Sequence, residues 1–283
     1  MSTAAIFPPG LFTYSFMQNA WLAGTAVAAV SALVGFFVVL RGAAFAAHAV
    51  PRASFAGAAG AVLVGGDTLV GLGVFSALSA LGIASLGARR DQSRMTALVL
   101  MAALGLGALF LSASDAYAPE VYALLFGQIV GVSRADALGL VGLLALALIA
   151  VALLYRPLLW SSVAPDVAEA RGVSRRRMDV LFLLLVALAA TAAVPVVGAL
   201  LSFSLMVAPA AAANRIARTP PQAMRIGLVV ALVSVWLSLV LAYDTSLPVG
   251  FFVAAVTTLC YGLARIYSAL RERRGALRTV KPA

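Results

Sequence analysis

An all-α protein threaded many times through a membrane is the fold class this sequence predicts, from its composition, its long apolar runs and the placement of its basic residues. Of 283 residues, 63% are apolar and 11% charged, whereas a soluble domain carries about 25% charged residues to cover its wet surface. A helix rises about 1.5 Å per residue and the hydrocarbon core is about 30 Å thick, so each crossing takes roughly 20 apolar residues. The net charge of +10 would suggest nucleic acid in a soluble protein. Here it comes from arginines lying between apolar runs, where they orient helices in a bilayer, so the expected partner is lipid and not nucleic acid.

Taken in order, the clearest runs cover residues 18–40, 68–86, 95–112, 137–154, 226–243 and 248–267. The stretch 180–213 is too long for one crossing and is interrupted at Pro195 and Gly198, which predicts two short helices meeting near Pro195. Residues 43–65 complete a set of about nine transmembrane helices. They contain His48, Pro51 and Arg52, so a broken or kinked helix is expected there. Residues 118–132 are apolar but short, bounded by Asp115, Glu120 and Arg134, and read as a re-entrant or surface helix on the outer side. The chain is expected to form a single transmembrane domain over 1–283. Its flanking parts are an outer lead-in at 1–16, a cytoplasmic loop at 156–177 and a basic cytoplasmic tail at 269–283, the last a solvated anchor beside anionic headgroups. The lead-in has no basic residue ahead of an apolar run, unlike a signal peptide.

Basic residues in short loops stay on the cytoplasmic side. With the N-terminus outside and the C-terminus inside, nine crossings put 18 of the 20 Lys and Arg residues on that side. The exceptions are Arg134, outside, and Arg52, within a span.

Four places depart from featureless lipid-facing helix. His48 and Arg52 lie four residues apart and so share one helix face. A fixed cation at that depth costs several kcal/mol unless it meets protein or a wet cavity, so the pair is either structural or lines a pathway on a broken helix. The loop 156–177 holds Pro165, Asp166, Ala168, Glu169, Arg171 and Gly172, with start and stop signals for a short amphipathic surface helix: a connector, or a docking element for a soluble partner. Residues 197–213 are rich in small side chains, with Ser202, Ser204 and Met206 as the polarisable ones. Tight helix packing accounts for them, with pathway lining as the other reading. Asp244 and the run Leu247-Pro-Val-Gly250 form an outer turn.

The absences narrow the chemistry. A lone lysine, Lys281 in the tail, leaves no Gly-x-x-x-x-Gly-Lys-Ser/Thr loop for a nucleotide, so any ATP is expected on another chain. A single His and a single Cys cannot assemble a cluster of soft metal ligands; His48 is the one candidate metal-ligating side chain. No Gly-x-Ser-x-Gly elbow supports an enzyme. Every Asp and Glu lies at a span end or in a loop, which argues against a secondary transporter coupled to protons or sodium.

Several segments together resemble the permease subunits of ABC importers for zinc, manganese and iron, of the type II importer fold. Val34-Gly-Phe-Phe-Val-Val-Leu-Arg41 resembles the end of that family's first span and its following Arg. Leu125-Phe-Gly-Gln-Ile-Val-Gly-Val-Ser-Arg-Ala-Asp136 resembles its outer helix. The loop with Asp166, Ala168, Ala170 and Gly172, followed by Arg177-Met-Asp179, resembles its ATPase-docking segment. Val197-Gly-Ala-Leu-Leu201 with Val207-Ala-Pro-Ala-Ala211, and Leu247-Pro-Val-Gly250, resemble two further phrases, all in the family's order. Where the family has Gly-Asp-x-x-x-His ahead of Pro-Gly, this chain has Phe45-Ala-Ala-His48-Ala-Val-Pro-Arg52: His48 stands for the Asp and Arg52 for the His.

The resemblance implies a permease subunit in the cytoplasmic (plasma or inner) membrane, itself no enzyme and binding no cofactor. A separate ABC ATPase would hydrolyse ATP, an extracytoplasmic binding protein would deliver a divalent metal, and a second copy of the chain would complete a homodimer. Asp166, Ala168, Glu169, Arg171 and Gly172 would couple to the ATPase; His48, Arg52, Ser202, Ser204 and Met206 would be pathway candidates. Because Arg is no metal ligand, two alternatives stand beside a bare metal ion: a chelated metal or anionic solute, or a non-transporting assembly subunit.

Overall fold

The computed structural model describes residues 14–86, 92–114, 125–127, 129–245 and 247–279. In chain order its helices are α1 (Ser15–Leu40), α2 (Ala44–Leu63), α3 (Thr68–Leu86), α4 (Gln92–Ser112), a 3-10 turn (Ile129–Gly131), α5 (Arg134–Val163), α6 (Pro165–Ala170), α7 (Arg175–Val197), α8 (Ser202–Ile216), α9 (Pro220–Thr245) and α10 (Val249–Thr279). Seven of these, α1, α3, α4, α5, α7, α9 and α10, are long and apolar enough to cross a membrane. The other two expected crossings correspond to α2 and α8, which are not among the seven. The 15 residues of α8 span about 22 Å at 1.5 Å per residue. The 20 residues of α2 include His48 and Arg52 among small alanines and glycines.

Local chemistry sets the ends. Ser133 and Asp136 form a capping box at the start of α5: the Asp136 N–H donates to Ser133 Oγ at 3.1 Å, and the Ser133 N–H donates to Asp136 Oδ2 at 3.2 Å. Pro165 opens α6 at its first position, where a missing N–H costs nothing.

Three expectations need adjusting. The break between α7 and α8 falls at Gly198 rather than Pro195: Pro195 stays helical inside α7, while Gly198 takes φ 90° and ψ 155°, which no continuing helix allows. The helix α2 runs unbroken through Pro51; the ring removes one ladder bond, to the Ala47 carbonyl. The helix α5 continues past Pro157 to Val163 because Leu158 and Ser161 extend its buried face, so Arg156 lies in the helix and not in the loop. Of the expected outer helix at 118–132, the described part carries helical residues Leu125 and Phe126 and the 3-10 turn, and the rest lies outside the described residues, as do residues 1–13 of the lead-in and 280–283 of the tail. Within the tail, α10 remains helical to Thr279.

The most buried of the seven spans are α1 and α7. On one side α2 packs on α3 and α4; on the other α1 packs on α5, α8 and α9, and α10 closes against α8 and α9. The helix α7 bridges both groups through α3 and α2 and through α1 and α5. Where α2 meets α8, the two groups form a seam.

Candidate functional site

From Ala46 to Ala59 on α2, only His48 and Arg52 are not buried. Their spacing of four puts them one above the other, and the rest of the helix packs against neighbours. Across the seam the ring edge of Phe203 on α8 meets His48, with centroids 5.1 Å apart and planes at 88°. Phe203, Ser204, Val207, Ala208 and Ala211 form the partly exposed stripe of α8. Ser204 lies on that stripe beside Phe203, and its hydroxyl donates to its own Leu201 carbonyl at 2.6 Å, leaving the oxygen free to accept. The Arg52 Nε is buried and makes no hydrogen bond.

Ser202 and Met206 lie elsewhere. Both are fully buried; the Ser202 hydroxyl donates to the Ala199 carbonyl at 3.3 Å. Met206 sits where α8 crosses α1 so closely that a Cβ on Gly35 would fall 1.9 Å from the Met206 carbonyl oxygen. That crossing is the close approach expected of a small-residue segment.

A second group of functional candidates gathers at the end of the bundle that carries α6. Asp166, Glu169, Arg171 and Gly172 are exposed, while Ala168 is 1% exposed and is the side chain that seats this short helix. The Arg171 guanidinium lies over the Trp160 ring, 4.7 Å from its centroid, fastening the end of α6 to α5. Beneath them, Arg41 at the end of α1 reaches both elements that flank α6. Its Nη1 donates to Asp179 Oδ1 on α7 at 2.8 Å, its Nε to Ser162 Oγ at 3.0 Å and its Nη2 to Ser161 Oγ on α5 at 2.5 Å. Its guanidinium also lies 4.9 Å from the centre of the Phe182 ring. The loop is thus presented on a braced base.

At the opposite end, three separate segments meet on glycines. A Cβ on Gly127 would lie 2.5 Å from the Val196 carbonyl oxygen, and one on Gly198 would lie 2.4 Å from the Leu125 carbonyl oxygen. The Leu200 N–H donates to that Leu125 oxygen at 3.2 Å. Gly250, opening α10, faces both strands of this contact through the Phe126 and Val197 carbonyls. The contact fixes where α7 stops and α8 turns back.

Sequence reasoning singled out the two ends of the Arg41–Asp179 pair without joining them, and missed Ser161, Ser162, Trp160 and Phe203. A signal for the pair existed: Asp179 closely follows Arg175, Arg176 and Arg177, and an acid kept in a basic run at a helix start has a specific partner to hold. Phe203 had no such signal. Among the described residues no three His, Cys, Asp or Glu side chains come together as a metal cluster, so a metal in the seam would meet the single His48 imidazole of this chain.

The model of the ABC 3 transport family matches residues 13–268. The chain is 29% identical over 275 residues, 95% of its length and 92% of the relative's, to a manganese transport system membrane protein, MntC, of Halalkalibacterium halodurans. It is 25% identical over 238 residues, 82% of its length and 91% of the relative's, to the high-affinity zinc uptake system membrane protein ZnuB of Haemophilus influenzae. Its fold superposes on a chain of PsaBC from Streptococcus pneumoniae, solved in complex with Fab, at a TM-score of 0.82 and 23% identity, covering 90% of this chain and 92% of that one. With α1 to α9, most of α10, the α6 loop and the glycine contact lying within the matched residues, the chain belongs to the ABC 3 transport family of membrane permeases.

Proposed function

We propose that this chain is the membrane-spanning subunit of an ATP-binding-cassette importer that carries a divalent metal ion, manganese, zinc or iron, across the cytoplasmic membrane by alternating access. The observation that carries the reading is the family match over residues 13–268, together with relatives named for manganese and zinc transport. Geometry supports it: an exposed short helix, α6, on a braced base at one end, and a partly exposed His48–Arg52 stripe at the seam between two helix groups. The whole chain acts as one permease domain of nine crossings, with α2 and α8 spanning inside the bundle, the N-terminus outside and the α6 end in the cytoplasm. ATP is hydrolysed on a separate ATPase docked on Asp166, Glu169, Arg171 and Gly172. Closure of two such ATPases pulls on α6, and Arg41 passes that displacement to α1, α5 and α7 together. A second copy of the chain completes the pathway as a homodimer, and a binding protein delivers the substrate at the glycine-contact end.

The test is uptake of radioactive manganese, zinc and iron into lipid vesicles holding the chain with its ATPase and binding protein. Accumulation that requires hydrolysable ATP is expected. ATP-independent accumulation, or none for any metal, contradicts the reading.

A further inference from the structure

Arg52 is the feature of the seam that a free metal ion does not explain. It stands eight residues into the 20-residue α2, about 12 Å from the start of the helix and about 16 Å from its end. Its guanidinium cannot be deprotonated at any accessible pH, its Nε is buried and unpartnered, and it shares its surface with His48.

Nothing described in this chain neutralises it. Asp67 accepts from the Val70 N–H at the start of α3, Asp136 is held in the Ser133 capping box, and Asp179 is paired with Arg41. Asp166 and Glu169 lie on the exposed face of α6, and Asp244 lies in the last turn of α9. All six sit at helix ends or in connections, and a second copy would bring the same acids and a second Arg52. A bare divalent cation approaching this pair of helices meets fixed positive charge in a poorly screened setting. A planar guanidinium is instead matched to the paired oxygens of a carboxylate or a phosphate, while the imidazole one turn away suits a metal.

Resting on the importer reading above, we propose that the His48–Arg52 site takes a divalent metal already bound to an oxygen-anion ligand, a carboxylate or phosphate group, with Arg52 engaging the anion's oxygens and His48 facing the metal. The passing species is then neutral or anionic, and selection acts on the complex.

The test uses the full complex, chain with ATPase and binding protein, in lipid vesicles in a non-coordinating buffer. ATP-dependent uptake of radioactive manganese, zinc and iron is measured for the metal alone, with citrate, and with inorganic phosphate, and carbon-labelled citrate is followed in parallel. In the unmodified complex, one of the two anions raises metal uptake about tenfold or more, which for citrate is accompanied by entry of the label; Arg52→Gln removes that gain, while Arg52→Lys, which keeps the charge without the fork, retains part of it. If the anion dependence follows citrate alone, the oxygens belong to a carboxylate ligand; if it follows phosphate, to a phosphate. Equal uptake of the metal alone and with either anion overturns the proposal and leaves the importer reading intact. No ATP-dependent metal uptake under any of the three conditions overturns the importer reading on which the proposal rests.

Discussion

Arg41 and Asp179 meet across 2.8 Å at the α6 end, the arginine side chain 9% exposed and the carboxylate 40%, so one nearly buried cation ties the end of α1 to the start of α7 beside α6. Because Ser161 and Ser162 also accept from it, Arg41→Ala removes at least three hydrogen bonds at once, the one to Asp179 among them. At about 1 kcal/mol for each neutral partner and somewhat more for the charged one, the loss is roughly 2–4 kcal/mol. Thermal unfolding of the purified chain in detergent checks it. Asp179→Asn, which keeps an acceptor at a half-exposed position, is expected to lose only about 1 kcal/mol or less.

The exposed face of α6 is expected to couple rather than stabilise. Glu169→Ala with Arg171→Ala leaves the protein in the membrane and lowers transport or ATPase assembly, read by co-purification and by transport rate. The Arg171–Trp160 contact divides the effect. Trp160→Leu removes a cation–π interaction of about 0.5–1 kcal/mol at an exposed site while keeping every charge on α6, so a partial coupling defect in Trp160→Leu identifies the positioning share of Arg171.

Two glycines of like backbone sign are expected to respond differently to alanine. Gly172, at φ 81°, has open space around its missing Cβ, so Gly172→Ala meets only the left-handed backbone penalty of about 1–2 kcal/mol. Gly198, at φ 90°, would drive its Cβ into the Leu125–Gly127 backbone at 2.4–2.5 Å. Gly198→Ala should therefore abolish the monodisperse folded species in size-exclusion profiles, while Gly172→Ala retains it.

Position on α8 separates packing from lining. Met206→Ala empties a fully buried site and is expected to cost about 2–5 kcal/mol, visible in the melting temperature. Ser204→Ala loses a bond to its own helix backbone and is expected to change stability by less than about 1 kcal/mol, with any effect falling on transport.

Much of this was legible in the apolar runs. Runs of roughly twenty residues locate α1, α3, α4, α5, α9 and α10, and the overlong stretch 180–213 locates α7 and α8 as a pair, because in a bilayer length and hydropathy are physically required. Pro165 and Gly172 located α6 because the signals for starting and stopping a short helix are local. The break at Gly198 was displaced to Pro195, since a proline near a helix end removes one hydrogen bond whereas a positive φ ends the helix outright, and sequence does not show which glycine takes one. The same limit applies to the seam: the small-residue run 197–213 announces close packing, but which of Ser202, Ser204 and Met206 turns inward depends on the helix rotation set by Gly35 against Met206. The Arg41–Asp179 pair joins residues 138 apart, a distance over which local patterns carry no information.

The proposed function requires the partly exposed residues His48 on α2 and Ser204 on α8 to face a water-filled pathway. It is tested most directly by thiol accessibility. In a Cys260→Ser background, cysteine is placed singly at positions 48, 202, 204 and 206 of the assembled complex and exposed to a membrane-impermeant, water-soluble thiol reagent, with and without ATP. The account predicts labelling at 48 and 204, altered by ATP, and protection at 202 and 206. Labelling at 202 and 206 with none at 48 and 204 in either state would contradict it.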